Sequence, residues 1–121
     1  MFLFVFSINL VVPFTKETEF IKSYKQGKRK DDDIAIANAG IRMNLVKSND
    51  DWIVEDCSMA FGGMGPTTVR PLNTIKNIIG SSWSSLELNE INGNLISDFN
   101  MPFSAPGGQV EFRKTCIAHL T

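Results

Sequence analysis

Three bases, Lys28, Arg29 and Lys30, run directly into three acids, Asp31, Asp32 and Asp33. Unpaired charges are costly to desolvate, so a reversal this abrupt is excluded from a core. Small and apolar residues follow at once, Ile34-Ala35-Ile36-Ala37. The run must therefore mark a surface loop leading into a buried strand. The expected geometry is a helix-to-strand loop with both charge signs open to a ligand. Two more clusters stand out, Phe61-Gly62-Gly63-Met64 and the stretch from Ser104 to Arg113 (SAPGGQVEFR).

A chain of 121 residues holds one domain with a single core. The net charge of −1 gives no global field toward nucleic acid or an anionic membrane. No basic stripe with interleaved aromatics occurs either, so neither partner is expected. Cys57 and Cys116 are far apart and each sits in an apolar pattern, which reads as two buried thiols in a cytoplasmic protein. The first residues, MFLFVFSINLVVPF, imitate a signal peptide. No Lys or Arg precedes the apolar run and no small-x-small site follows it. The run is also shorter than the roughly 20 apolar residues that span a bilayer. A buried β-strand ending at Pro13 accounts for it better.

Thr15 can cap a helix from Lys16 to about Gln26, with Phe20, Ile21 and Tyr24 as its apolar face. Glu17 and Glu19 would lie near its positive end, and Gly27 would stop it. Ile41, Met43 and Leu45 alternate with polar residues, as do Cys57, Met59 and Phe61. The polar run Lys47–Asp51 separates them, which predicts a hairpin with a loop of about five residues, broken afterwards by Gly62-Gly63. Pro71, Leu72, Ile75, Ile78 and Ile79 repeat at helical spacing up to Gly80. Leu88, Ile91, Leu95 and Phe99 form a second helical stripe, despite the Asn92-Gly93 pair inside it. Val110 to Leu120 opens a third helix after the turn at Pro102–Gly108. That helix stops mid-pattern without a cap, which suggests a truncated chain. The order strand, helix, strand, strand and three helices predicts a two-layer α+β domain.

Chemistry is harder to find. His119 is the sole histidine and lies in a helical pattern, where an incidental role is commoner than catalysis. One His and two distant Cys supply no tetrahedral metal set. Asp31–Asp33 lacks the alternate spacing of a calcium loop, and three consecutive acids are more often solvated and paired with nearby lysines. The glycine pairs could bring amides to a phosphate, but neither forms a phosphate-loop motif. A strand terminator and a helix-initiating turn explain them. The residues alone give an α+β domain with a mixed-charge loop and no complete active site.

The same three clusters carry a resemblance. The segments KQGKRKDDDIAIANAGIRMNL, MAFGGMGPTTV and SAPGGQVEFRKT resemble, in order and at compatible spacing, the xanthine dehydrogenase family of molybdenum hydroxylases. The resembling part is the CO dehydrogenase flavoprotein C-terminal domain of the FAD region, in register from about Ile8 to the end. Residues 1–121 are then the C-terminal subdomain of an FAD domain, a fragment not active alone. The resemblance implies an α+β fold with an antiparallel three-stranded sheet packed with helices. It further implies FAD that takes electrons from iron–sulfur clusters and passes them to NAD⁺ or oxygen. The molybdopterin, the clusters and most of the FAD surface belong to other domains of the same enzyme, and full-length members are homodimers. By position, the resemblance assigns flavin contact to Lys25 and Ser7, and flavin-facing charge to Arg29 and Asp32. The acid run places the chain nearer NAD-using dehydrogenases than aldehyde oxidases. Lys30-Asp31 for the commoner Arg-Glu keeps the charge, and Gly27 stands where the family has a small residue. Two readings compete: a non-catalytic stand-alone interaction module that kept the fold without the cofactor, and a small secreted protein cleaved after Phe14.

Overall fold

The computed structural model describes residues 8–120. Three antiparallel strands, β1 (Glu19–Gln26), β2 (Ala37–Ser48) and β3 (Asp51–Gly62), form one sheet in the order β1-β2-β3. Helices α1 (Leu72–Ile78), α2 (Leu88–Asp98) and α3 (Val110–Leu120) follow, with a 3₁₀ turn at Trp83–Ser85. The expected α+β fold with a three-stranded antiparallel sheet is therefore present. All three helices fall where their apolar spacing predicts them.

The N-terminal part differs. The helix expected from Lys16 to Gln26 is strand β1, paired with β2 from Glu19↔Asn44 to Gln26↔Ala37. Phe20, Ile21 and Tyr24 fit a helical stripe, but Phe20, Lys22 and Tyr24 also alternate. Aromatic and β-branched residues favour the strand once a partner exists. Glu19 does not act at a helix start: its carboxylate accepts the Lys16 N–H and pairs with Arg42 on β2. The buried strand expected to end at Pro13 is not met over its described part. Residues 8–16 carry neither helix nor strand, and residues 1–7 lie outside the described residues. Ile8, Leu10, Val11, Val12 and Phe14 are exposed.

The β2–β3 hairpin is tighter than expected. Ser48 pairs with Asp51, leaving only Asn49 and Asp50 in the turn, with Asn49 at φ 54°. At its end Asp51 accepts hydrogen bonds from the hydroxyls of Ser82 and Ser84, tying the hairpin to the 3₁₀ turn.

Side chains alternate across a strand, so β2 sends Ala37, Ala39, Ile41 and Met43 to the helices and Asn38, Gly40, Arg42 and Asn44 to the other face. The core lies between the helix layer and the β2–β3 half of the sheet. Val54, Cys57, Met59 and Phe61 are buried there with Ile75, Ile78, Leu95, Phe99 and Ile117. Phe61 meets Phe99 edge-on at 5.1 Å, a geometry that aromatic quadrupoles favour. Burial raises the Cys57 thiol to about 11, so it behaves as a small hydrophobe. Pro71 gives α1 no side-chain cap. Asp98 at the end of α2 supplies one instead, accepting from the Thr74 N–H (2.9 Å), the Thr74 hydroxyl (2.8 Å) and Asn73 (2.7 Å).

The β1 half is less covered. Phe20, Tyr24, Met43, Leu45, Trp83 and Leu88 are among the walls of an open apolar trough of about 640 Å³. Among the described residues, no helix is long and apolar enough to cross a membrane.

Candidate functional site

The charged run lies in the loop 27–36 that joins β1 to β2, so it connects two strands. Its ends are held by the Ile36 N–H, which donates to the Gln26 carbonyl at 2.7 Å. Inside the loop the three aspartates do different work. Asp33 folds inward: Oδ2 accepts the Arg29 N–H at 2.6 Å and Oδ1 the Ile34 N–H at 2.9 Å. These contacts, led by the Arg29 amide, hold its carboxyl below the ordinary carboxylate range. Lys25 donates to the Asp33 carbonyl at 3.0 Å, so a sheet lysine ties the loop from below. Asp32 takes a left-handed backbone, φ 50°, and its side chain is exposed.

Arg29 donates from Nη2 to the Asp32 carbonyl at 3.0 Å and lies 3.9 Å from the Asp33 carboxylate. Its side chain remains 72% exposed, so the cation stays available. The structure thus brings Lys25, Arg29 and Asp32 together around one loop. Ser7 lies outside the described residues. Sequence reasoning missed Asp33, whose role depends on a turn that the run DDD does not announce. The loop is pinned by one acid and presents the others.

Both glycine clusters converge on the same end of the sheet. The Gly62 N–H donates to Asn38 Oδ1 at 3.2 Å. Gly63, at φ 82°, lies so close to the loop that an added Cβ would overlap the Ile36 carbonyl oxygen. From α3, Arg113 donates to the Gly63 carbonyl at 3.2 Å and to the Pro106 carbonyl at 3.1 Å. Three segments far apart in sequence therefore form one surface. Between them runs a cleft of about 420 Å³, lined by Gly27, Lys28, Ile36, Gln109 and Phe112.

A second charged group lies on the outer face. Arg42 bridges Glu19 on β1 and Asp56 on β3, and its own pKa is raised by those two hydrogen bonds. Asn44, buried beside it, accepts from Thr18 at 3.0 Å and donates to Glu55 at 2.5 Å. These charges are consumed by structure. Among the described residues no three His, Cys, Asp or Glu side chains converge as a metal site.

The chain is 42% identical over 109 residues to xanthine dehydrogenase of Emericella nidulans, covering 88% of this chain. It is 38% identical over 108 residues to xanthine dehydrogenase 2 of Arabidopsis thaliana and 34% over 110 residues to aldehyde oxidase 1 of Bos taurus, covering 89% and 91% of it. The chain spans about 8% of the length of each of these relatives. Among solved structures, carbon monoxide dehydrogenase from Hydrogenophaga pseudoflava superposes with a TM-score of 0.66 at 16% identity, over 90% of this chain and 36% of that one. Quinoline 2-oxidoreductase from Pseudomonas putida 86 gives 0.60 at 13%, over 83% and 33%. At those identities the likeness speaks for the fold. Residues 22–121 match the family described as the CO dehydrogenase flavoprotein C-terminal domain, and the chain belongs to it.

Proposed function

We propose that this chain forms the C-terminal part of the FAD domain of a xanthine dehydrogenase-like oxidoreductase, supplying one wall of the flavin site. One observation carries the reading: the three sequence clusters assemble at one end of the sheet around a loop that presents Lys25, Arg29 and Asp32. The residues fit a flavin as a wall and not as a whole site. Free cationic and anionic groups stand on the loop, and a shallow cleft lies beside it. FAD, when bound, supplies electron transfer toward NAD⁺ or oxygen.

The chain's own residues act through position and charge. Lys25 anchors the loop and offers its ammonium at the sheet surface. Arg29 offers a cation that favours negative charge accumulating on a neighbouring ring, and Asp32 disfavours it. Asp33 keeps the two at a fixed spacing. Other domains of the same enzyme would cover Ile8–Phe14 and complete the cofactor site.

The test is a chimera in which this chain replaces the matching segment of the Emericella nidulans xanthine dehydrogenase. The expected product retains flavin absorbance and forms NADH from xanthine. A soluble, folded chimera that elutes without flavin would sink the reading.

A further inference from the structure

Arg113 is the residue at which the glycine clusters meet. It lies in the first turn of α3, where its N–H donates to the Gln109 carbonyl at 2.9 Å. Its guanidinium donates to Gly63 on one side and Pro106 on the other, while Nε is buried without a hydrogen-bond partner. Gly107 stands at φ 83°, and a Cβ added there would fall on Arg113 Nη2. Both turns thus carry glycine where an added Cβ would meet the guanidinium or the backbone next to the one it holds. Beyond Gly63 the next contact is Ile36, the last loop residue before β2. A continuous path runs from α3 through Arg113 and Gly63 to the charged loop.

Burying part of a guanidinium with an unsatisfied N–H is unfavourable, and the two carbonyl contacts offset that cost. A planar guanidinium can donate to two carbonyls at once in a fixed fork. An ammonium is a point donor and cannot reproduce that geometry. We propose that Arg113 is a positioning residue: it clamps the Gly63 and Pro106 turns together and thereby fixes the 27–36 loop against the end of the sheet. Its consequence for a cofactor rests on the flavin reading above, but the clamp itself does not. Loop and helix then form one unit, and the loop's charges hold their place because α3 holds Gly63.

Amide hydrogen exchange on the full chain, without flavin, tests this. In Arg113→Lys the amides of Arg29, Ile34 and Ile36 should exchange on the order of tenfold faster, the effect of losing a charged hydrogen bond. Amides of the hairpin beyond Leu45 should keep their rates. Arg113→Met should open the loop further. If that variant also exposes the hairpin, the Arg113→Lys ratio of loop to hairpin decides. Gly63→Ala should reproduce the loop pattern by itself, and adding Arg113→Lys to it should accelerate exchange no further. Unchanged loop exchange in Arg113→Lys would overturn the clamp. So would equal acceleration of loop and hairpin, or full additivity with Gly63→Ala. None of these results depends on flavin, so the clamp and the flavin reading can fail separately.

Discussion

Phe61 and Phe20 face the same side of one sheet. Their partners on β2, Ala39 and Met43, both point to the helices, yet Phe61 is 0% exposed and Phe20 is 56% exposed. The β3 half is closed by α1, α2 and α3, whereas the β1 half opens into the trough. The closed half is finished in the sense that its apolar residues have found partners. The open half keeps apolar surface and carries the loop with the free charges. Most of the buried core thus lies in one half of a small domain, while the free charges of the candidate site stand on a loop at the other. That separation can be attacked residue by residue.

The largest effect is expected where the closed half is densest. Phe61→Ala removes a buried ring and its edge contact with Phe99, which should cost about 3–5 kcal/mol. Against a typical domain stability of roughly 5–15 kcal/mol, that leaves little margin. Phe20→Ala on the open half should cost about 1 kcal/mol or less, because over half of the ring is already in water. Urea unfolding of the two variants measures the contrast, and equal losses would abolish the distinction between the halves.

Arg42 links the halves, and its removal comes next. Its guanidinium joins β1 to β3 through Glu19 and Asp56, and the Glu19 side chain is only 13% exposed. A fully exposed pair contributes at most about 1 kcal/mol, while hydrogen bonds to charged groups reach about 1.5–3. Arg42→Met should therefore cost about 1–2 kcal/mol, read as a shifted denaturant midpoint at unchanged slope. The wild-type midpoint should also fall with added salt more than that of the variant.

Much of the closed half is legible in the sequence, because its signals are redundant. Leu88, Ile91, Leu95 and Phe99 repeat at helical spacing only, as do Ile75 and Ile78, and the Cys57–Met59–Phe61 alternation has no helical alternative. The open half is ambiguous for a physical reason. Phe20, Ile21 and Tyr24 satisfy a helical stripe, while Phe20, Lys22 and Tyr24 satisfy a strand, so only pairing with β2 decides. The site divides similarly. Its three clusters are visible as runs of unusual composition, but their convergence depends on β2 and α3 beginning where β3 ends. Asp33 looks like its neighbours in sequence and is distinguished only by turning inward.

Acid should separate the halves by kind. Glu19, Asp33, Asp51 and Asp98 all have lowered pKa values. For Asp98 burial alone acts upward, and the Thr74 and Asn73 hydrogen bonds outweigh it. A carboxyl with a depressed folded pKa binds its proton less readily than in the unfolded chain. Its stabilisation is present above the unfolded value of about 4 and is lost as pH falls through the folded value. Unfolding midpoints should hold from pH 7 to about 5 and fall below about 4. In the same window the protection of the Arg29 and Ile34 amides, taken relative to their intrinsic exchange rates at each pH, should fall, because both donate to Asp33. Loop protection that does not change with pH would show that Asp33 does not pin the loop.

The smallest effect on stability should come from the charges that matter most for the proposed function. Arg29 is tied to a single backbone carbonyl and a carboxylate at 3.9 Å, and its side chain is 72% exposed. Asp32 is exposed as well. Arg29→Gln and Asp32→Asn should each change stability by under about 0.5 kcal/mol. In the xanthine dehydrogenase chimera they should nevertheless move the flavin midpoint potential, and in opposite directions. Removing the cation withdraws support for negative charge on the ring and lowers the potential; removing the carboxylate raises it. At partly screened distances the shifts should be on the order of tens of millivolts. The double variant should lie between the two singles. Redox titration of the four proteins measures this directly. Shifts of the same sign would mean that the substitutions act through loop geometry. No shift, with flavin retained, would place both charges away from the ring and leave the open half without its proposed electrostatic role.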